Sequence, residues 1–381
     1  MLHSRIINSL FSKICNERKI YICSCITNEK KHCSLQDENS IIEHISSSPL
    51  ASYIHHNYGA EPTKCIENLY NILLGGPVNV KKPRIIILPV DQGFEHGPHR
   101  SFEKNKKGFD PLYLYKLASY NHLSAFAAPL GMLQLLRSNL LSHDNLNPND
   151  APLGFRVPLV LKINSNDYFT ACDVDTDPSQ AIIATVDDAV TLGCAGIGVT
   201  IYPGSKNFQH MLEKLTPIIK EAKEKGLVVI VWAYPRGSCL NRSNNEMQKS
   251  AAPNALDVVS YAAHIACLIG AHIVKVKIPS EKKTYWNDVM LSNELKELSH
   301  SERSDRNKFC IREIKKSCFD GRRIVIFSGG TYVKSNNEIL DSVRDVNHED
   351  GNGSIIGRNV FQREWKEACG LTREIIELYS K

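Results

Sequence analysis

His272-Ile-Val-Lys-Val-Lys-Ile278 is an apolar, β-branched run broken only by two lysines. Residues two apart on a strand share a face, so Lys275 and Lys277 are expected to point the same way. Similar runs recur on both sides of this one, at 84–90, 124–128, 159–163, 196–201, 227–232, 323–327 and 354–356. Together they predict eight strands, starting at intervals of roughly 30 to 50 residues, with helical patterns between them. Near-continuous apolar strands alternating with amphipathic helices signal a parallel sheet covered on its outer face. Eight such units predict a closed α/β architecture, the (β/α)8 or TIM barrel. An open doubly wound sheet would carry a glycine fingerprint after its first strand. Gly193-Cys-Ala-Gly196-Ile-Gly198 has the wrong order and precedes its strand.

Clear helices are expected at 257–269, which ends on Gly270, and at 206–225, which leads to Gly226. Residues 139–150 and 240–251 read as loops, and the polar stretch 280–318 as a long surface excursion with some helix. The domain reading is an N-terminal extension over 1–50, flexible or targeting, followed by the barrel over 51–381.

The chain has 381 residues and a formal net charge of +5. Both signs are mixed along its body, so no nucleic-acid partner is expected. It contains no apolar run of membrane-spanning length, so no membrane partner is expected either. Twelve cysteines without repeating spacing read as free thiols in a reducing compartment. Cys23-Ser24-Cys25 has no second pair to complete a zinc site. The first thirty residues are basic, with Ile6, Ile7, Leu10, Phe11 and Ile14 at helical spacing. That pattern fits an organelle transit peptide, and fits equally a helix that belongs to the folded protein. The expected location is cytoplasmic, with organelle targeting by residues 1–30 as the other reading.

In a β/α barrel the functional groups lie at the C-terminal ends of the strands. Lysine is rarely buried without a partner or a task. Burial and a second ammonium nearby both favour the neutral amine, which attacks carbonyls. The spacing of Lys275 and Lys277 does not rank the two. Trp232-Ala-Tyr234 closes the fifth strand, with both rings on one face, and a tyrosine there is able to move a proton. Asp91 follows the first strand within Asp91-Gln-Gly93, either as a working carboxylate or as a turn residue. His96 and His99 are separated by Gly-Pro, which forbids a regular helix and argues against a metal site. Ser328-Gly329-Gly330 and Gly357-Arg358 follow the last two strands. Small residues there let backbone N–H groups approach a phosphate, and Arg358 adds a forked donor. Lys162 is a third inward lysine, with no catalytic role assigned.

The ordered set Val90-Asp-Gln-Gly-Phe-Glu-His-Gly97, Thr200-Ile-Tyr-Pro-Gly-Ser205, Val231-Trp-Ala-Tyr-Pro-Arg-Gly237, Ile273-Val-Lys-Val-Lys277, Phe327-Ser-Gly-Gly330 and Ile356-Gly-Arg-Asn-Val360 resembles class I fructose-bisphosphate aldolases of the archaeal and bacterial type. The similarity runs from about residue 85 to the C-terminus. It implies a lyase of glycolysis and gluconeogenesis that works without a metal or other cofactor on a sugar phosphate, as a homo-oligomer. By motif match Lys275 would form the Schiff base, and Lys277 would be its neighbour. Tyr234 would be the acid/base, and Asp91 would lie near the substrate hydroxyls. Trp232 would pack on the substrate. Ser328, Gly329, Gly330, Gly357 and Arg358 would hold phosphate. Siblings on this scaffold act on other phosphorylated ketoses or transfer a three-carbon unit. Residues 1–80 match less well.

Overall fold

The computed structural model describes residues 2–13, 22, 38–143, 157–167, 169, 177–240, 252–281, 284–286, 289–298 and 302–380. Ten strands are present among them: β1 (Ile85–Pro89), β2 (Ala125–Ala128), β3 (Leu159–Lys162), β4 (Asn164–Ser165), β5 (Ala181–Ile182), β6 (Gly196–Ile201), β7 (Val228–Ala233), β8 (Ile273–Val276), β9 (Ile324–Ser328) and β10 (Gly353–Ile355). Eight close into a parallel barrel in the order β1-β10-β9-β8-β7-β6-β3-β2, while β4 and β5 pair in a separate two-stranded sheet. Each predicted run holds one barrel strand, so the (β/α)8 expectation stands.

The period of two divides the core in two. Ile86, Leu88, Val229, Val231, Val274 and Val276 face outward into a shell packed by helices such as Leu256–Leu268. Ile85, Ile87, Val160, Ile230, Ile273 and Ile326 fill the barrel interior. That interior core continues without a break into the N-terminal helices. Glu38–Ser46, Pro49–Tyr58 and Thr63–Leu73 contribute Ile45, Ile54, Leu69 and Tyr70 to it, and Leu2–Lys13 contributes Ile6, Ile7 and Phe11. This layer covers the barrel end at which the strands begin. Tyr58 Oη donates to the His272 carbonyl at 2.8 Å, just ahead of β8, and accepts from the N–H of Ile324, the first residue of β9, at 3.0 Å. Asn68 Nδ2 donates to the Gly226 carbonyl at 2.8 Å, ahead of β7.

Two expectations change. Residues 139–143 are not loop: the helix Leu130–His143 continues through them, because Leu140 and Leu141 prolong the helical spacing. The stretch 280–318 is not merely an excursion. Its helix Arg303–Ser317 buries Phe309, Cys310, Ile311 and Ile314 in the outer shell, as a barrel helix must. The rest of 139–150, nearly all of 240–251 and the Cys23–Cys25 pair lie outside the described residues. Among the described residues no helix is long and apolar enough to cross a membrane.

Candidate active site

The inward register of the upper barrel brings the predicted residues together. Trp232 on β7 pairs directly with Lys275 on β8. Lys275 is 5% exposed, and its Nζ lies 5.0 Å from the Trp232 ring centroid and 5.1 Å from that of Tyr234. Burial lowers its pKa to about 8; Asp91 and Glu95 oppose that shift, while Arg358 and Arg236 reinforce it. Lys277 lies just past the strand end, with Nζ 5.5 Å from the Tyr234 ring. Its side chain reaches solvent, yet its pKa also falls, through partial desolvation among the crowded groups of the mouth and the charges of Arg236, Arg358 and Lys275. The two lysines thus flank one tyrosine, and only Lys275 lies within the strand.

The Trp232 ring requires a hole over the neighbouring strand β6, and glycine makes it. Inward positions on β6 are Gly196, Gly198 and Thr200, while Ile197, Val199 and Ile201 face the outer shell. A Cβ on Gly198 would lie 2.4 Å from the indole ring, so any larger residue displaces it. Trp232 is 1% exposed, and its Nε1 meets no acceptor among the described residues. An unpaired buried donor is costly, and such donors collect where a ligand completes them.

Tyr234 is half-buried in the same mouth. Burial pushes its pKa up, Ser328 pulls it back, and Asp91 and Glu95 push it further. Ser328 closes β9, and Asn359 fastens the loop that follows. Its Nδ2 donates to the carbonyls of Gly329 at 2.7 Å and Thr331 at 2.8 Å. Gly330 has φ +70°, a region that favours glycine, with open space where a side chain would stand. Arg358 donates to the Gly330 carbonyl at 3.3 Å. A Cβ on Gly357 would press on the Pro89 carbonyl at 2.8 Å, so glycine lets the strand ends meet. The small residues and the arginine predicted to hold phosphate therefore occupy one side of the mouth.

Other groups complete the site without a clear signal in the sequence. Glu95 stands four residues after Asp91, on the short helix Gln92–His96. Its Oε1 accepts from Tyr202 Oη at 3.0 Å, and Tyr202 accepts from Gln180 Nε2 at 2.7 Å. Burial works against ionising Glu95, yet Arg236, Lys162 and the Tyr202 hydrogen bond hold its pKa below normal. Arg236 joins the site as well: its guanidinium lies 5.0 Å from the Tyr202 ring centroid and 5.9 Å from that of Tyr234. Glu95 belongs to the Val90–Gly97 motif, but only the fold shows that it turns inward to Tyr202.

One group of metal-type donors exists among the described residues, at the opposite end of the barrel: Glu61, Cys65 and His272. His272 Nε2 lies 3.3 Å from Glu61 Oε1 and 3.7 Å from Cys65 Sγ. The spacing suits a tetrahedral ion, but the imidazole does not. Val229 N–H donates to His272 Nδ1 at 2.8 Å, so the neutral ring carries its proton on Nε2. A metal on Nε2 would move that proton to Nδ1, against a backbone donor. The set does not fit a metal, and Nε2–H serves Glu61 instead.

A barrel whose mouth buries a lowered-pKa amine among carboxylates and aromatic rings has the architecture of a carbonyl-handling barrel enzyme. Residues 85–363 match the model of the DeoC/LacD family aldolases. The chain belongs to that family and is an aldolase. It is 28% identical over 298 residues to a probable fructose-bisphosphate aldolase class 1 of Chlamydia muridarum, covering 77% of this chain and 78% of the relative. It is also 28% identical over 298 residues to the fructose-bisphosphate aldolase class 1 of Thermoproteus tenax, covering 78% and 90%. Among solved structures, an archaeal fructose 1,6-bisphosphate aldolase superposes with a TM-score of 0.60 at 26% identity, over 82% of this chain and 99% of that one.

Proposed function

We propose that this aldolase reversibly cleaves fructose 1,6-bisphosphate to dihydroxyacetone phosphate and glyceraldehyde 3-phosphate through a Schiff base on Lys275. The reading is carried by one observation: Lys275 is a buried amine of lowered pKa, held between the Trp232 and Tyr234 rings. The named relatives support the choice of substrate.

The free amine of Lys275 adds to the C2 ketone, and loss of water leaves an iminium. Tyr234 takes the C4 hydroxyl proton as it passes its own to the carboxylate of Asp91 in the same mouth. The C3–C4 bond breaks, its electron pair passes into the iminium, and the aldehyde departs. Protonation of the resulting enamine at C3 and hydrolysis return the amine and release the ketone. Trp232 packs on the substrate. Ser328, Gly329, Gly330, Gly357 and Arg358 grip a phosphate, which fixes the reacting carbons relative to Lys275. The iminium is the electron sink, so the proposed reaction uses no metal and no other cofactor. The proposed setting is glycolysis and gluconeogenesis in the cytoplasm, with the chain acting as a homo-oligomer.

Borohydride trapping with dihydroxyacetone phosphate tests this. The expected result is a covalent adduct on the peptide containing Lys275. An adduct on another lysine, or none, refutes the assignment. A panel of fructose and sedoheptulose bisphosphates then separates this substrate from that of a sibling enzyme.

A further inference from the structure

The aldol reading above, on which this inference rests, leaves one buried lysine of the barrel without a task. Lys162 ends β3 and is 3% exposed. Its Nζ donates to the backbone carbonyl of Asn164, and to Asn164 Oδ1 at 2.9 Å. Asn164 is itself clamped to β6: its Nδ2 donates to the Thr200 carbonyl at 2.8 Å, and its Oδ1 accepts from Thr200 N–H at 2.7 Å. The ammonium is therefore anchored on two oxygens that cannot swing away. Lys275 has no such acceptor among the described residues.

The indole of Trp232 connects the two lysines. The space above Gly198 lets it cross β6 toward β3, so that Lys162 Nζ lies 5.6 Å from the centroid that Lys275 Nζ approaches to 5.0 Å. The two nitrogens thus lie within about 11 Å of each other. Cations over an indole face are attracted to it, and two of them hold the ring in place. Between them the Trp232 N–H remains unspent among the described residues.

We propose that Lys162 is a positioning residue of the aldol site: its anchored ammonium fixes the indole wall of the pocket and biases Lys275 toward the free amine. Both lysines face the carboxylates of Asp91 and Glu95. Lys275 also faces Arg236 and Tyr234 from the β7 end, Arg358 from the β10 end, and Lys277 from its own strand end. Burial and the charge of Lys275 bring the pKa of Lys162 down to about 8 as well, against the pull of Asp91 and Glu95. What separates the two is geometry: Lys162 has two fixed acceptors and Lys275 has none among the described residues, and hydrogen bonds to the charged form favour it, so Lys162 keeps its proton and Lys275 gives its own up.

The test measures borohydride trapping with dihydroxyacetone phosphate against pH, with the adduct mapped by peptide mass spectrometry. In the wild type, trapping rises through the deprotonation of Lys275. In Lys162→Gln that limb should move up by on the order of one pH unit, the size expected for losing a like charge at this distance. Lys162→Arg should restore it, and the adduct should remain on Lys275. A merely structural role would lower the yield without moving the limb. An unmoved limb in Lys162→Gln, or an adduct on Lys162, overturns the proposal. Should Lys162→Gln fail to fold by circular dichroism, Asn164→Ala removes the side-chain oxygen of the anchor and its clamp to Thr200 while keeping both lysines. It should also raise the limb, and an unmoved limb there overturns the proposal equally. If the wild type itself forms no adduct, the aldol reading has failed, which is a distinct outcome.

Discussion

Both ends of the barrel bury ionisable groups, and they treat them in opposite ways. At the end where strands begin, His272 gives Nε2–H to Glu61, accepts Val229 N–H, and Glu61 also takes Lys223 Nζ at 2.8 Å. Lys223 and His272 hold the Glu61 pKa down at about 2, against the opposing pull of burial. At the mouth, Lys275 has no hydrogen-bond acceptor and Trp232 Nε1 no partner among the described residues, and burial drags the lysine to about 8. Satisfied charges at one end stabilise the fold. Unsatisfied ones at the other cost stability and are ready to meet a ligand.

The largest effect should come from breaking the mouth. Lys275→Met should lower kcat/KM by about a thousandfold or more, since no other group supplies the nucleophile. The same change should raise Tm at neutral pH. The folded pKa of Lys275 lies below its ordinary 10.5, so the unfolded chain binds the extra proton between pH 8 and 10.5. Stability therefore rises across that window, and the full penalty is felt below it. Calorimetry at pH 7 checks the sign: a fall in Tm would mean that Lys275 is structural. In the wild type, kcat/KM should climb with pH toward about 8 as the free amine appears.

Next in size is Tyr234→Phe. Loss of the acid/base should cut kcat by about 10²- to 10⁴-fold. Borohydride trapping with dihydroxyacetone phosphate should persist, because the amine is untouched. A variant that neither turns over nor traps would place Tyr234 in imine formation rather than in cleavage.

Smaller again, and spread over both properties, is Gly198→Ala. Its methyl group meets the indole at 2.4 Å, so Trp232 must tilt. The expectation is a stability loss of about 1–3 kcal/mol, as for other overpacked cores. Activity should drop by roughly 10- to 100-fold through misplacement of the pocket wall. Denaturant melts and steady-state kinetics separate the two. Wild-type values for both would mean that the ring has room that the geometry denies it.

The same contrast explains what was legible in the sequence. The barrel was readable because its strands are apolar on both faces, and a lysine within such a run stands out. Lys275 and Trp232 were therefore visible as outliers. The partners that tune them were not: Glu95 lies in a loop motif rich in turn residues, and the Asn164 anchor for Lys162 depends on a side-chain bond to β6. Gly198 carries no signal in the sequence beyond a glycine run of the wrong order for a dinucleotide fingerprint, and its purpose depends on the indole above it. The helical layer over the other end was the least legible part. Glu61, Cys65 and His272 are joined across more than two hundred positions, with no local pattern to announce them.

The smallest effect, and the sharpest contrast with Lys275, belongs to Glu61→Gln. The substitution keeps an acceptor for His272 Nε2–H but removes the charge that pairs with Lys223. A loss of about 2 kcal/mol is expected, with kcat and KM unchanged, since the site lies at the far end. The folded pKa of Glu61, about 2, lies below its ordinary 4.5. Its contribution is thus fully present above pH 4.5 and is lost as the pH falls toward 2. The Tm gap between wild type and variant should accordingly be constant near neutrality and close progressively below pH 4.5. A gap that stayed constant down to pH 3 would mean that Glu61 acts by its shape alone, and the two ends of the barrel would then differ less than their hydrogen bonds imply.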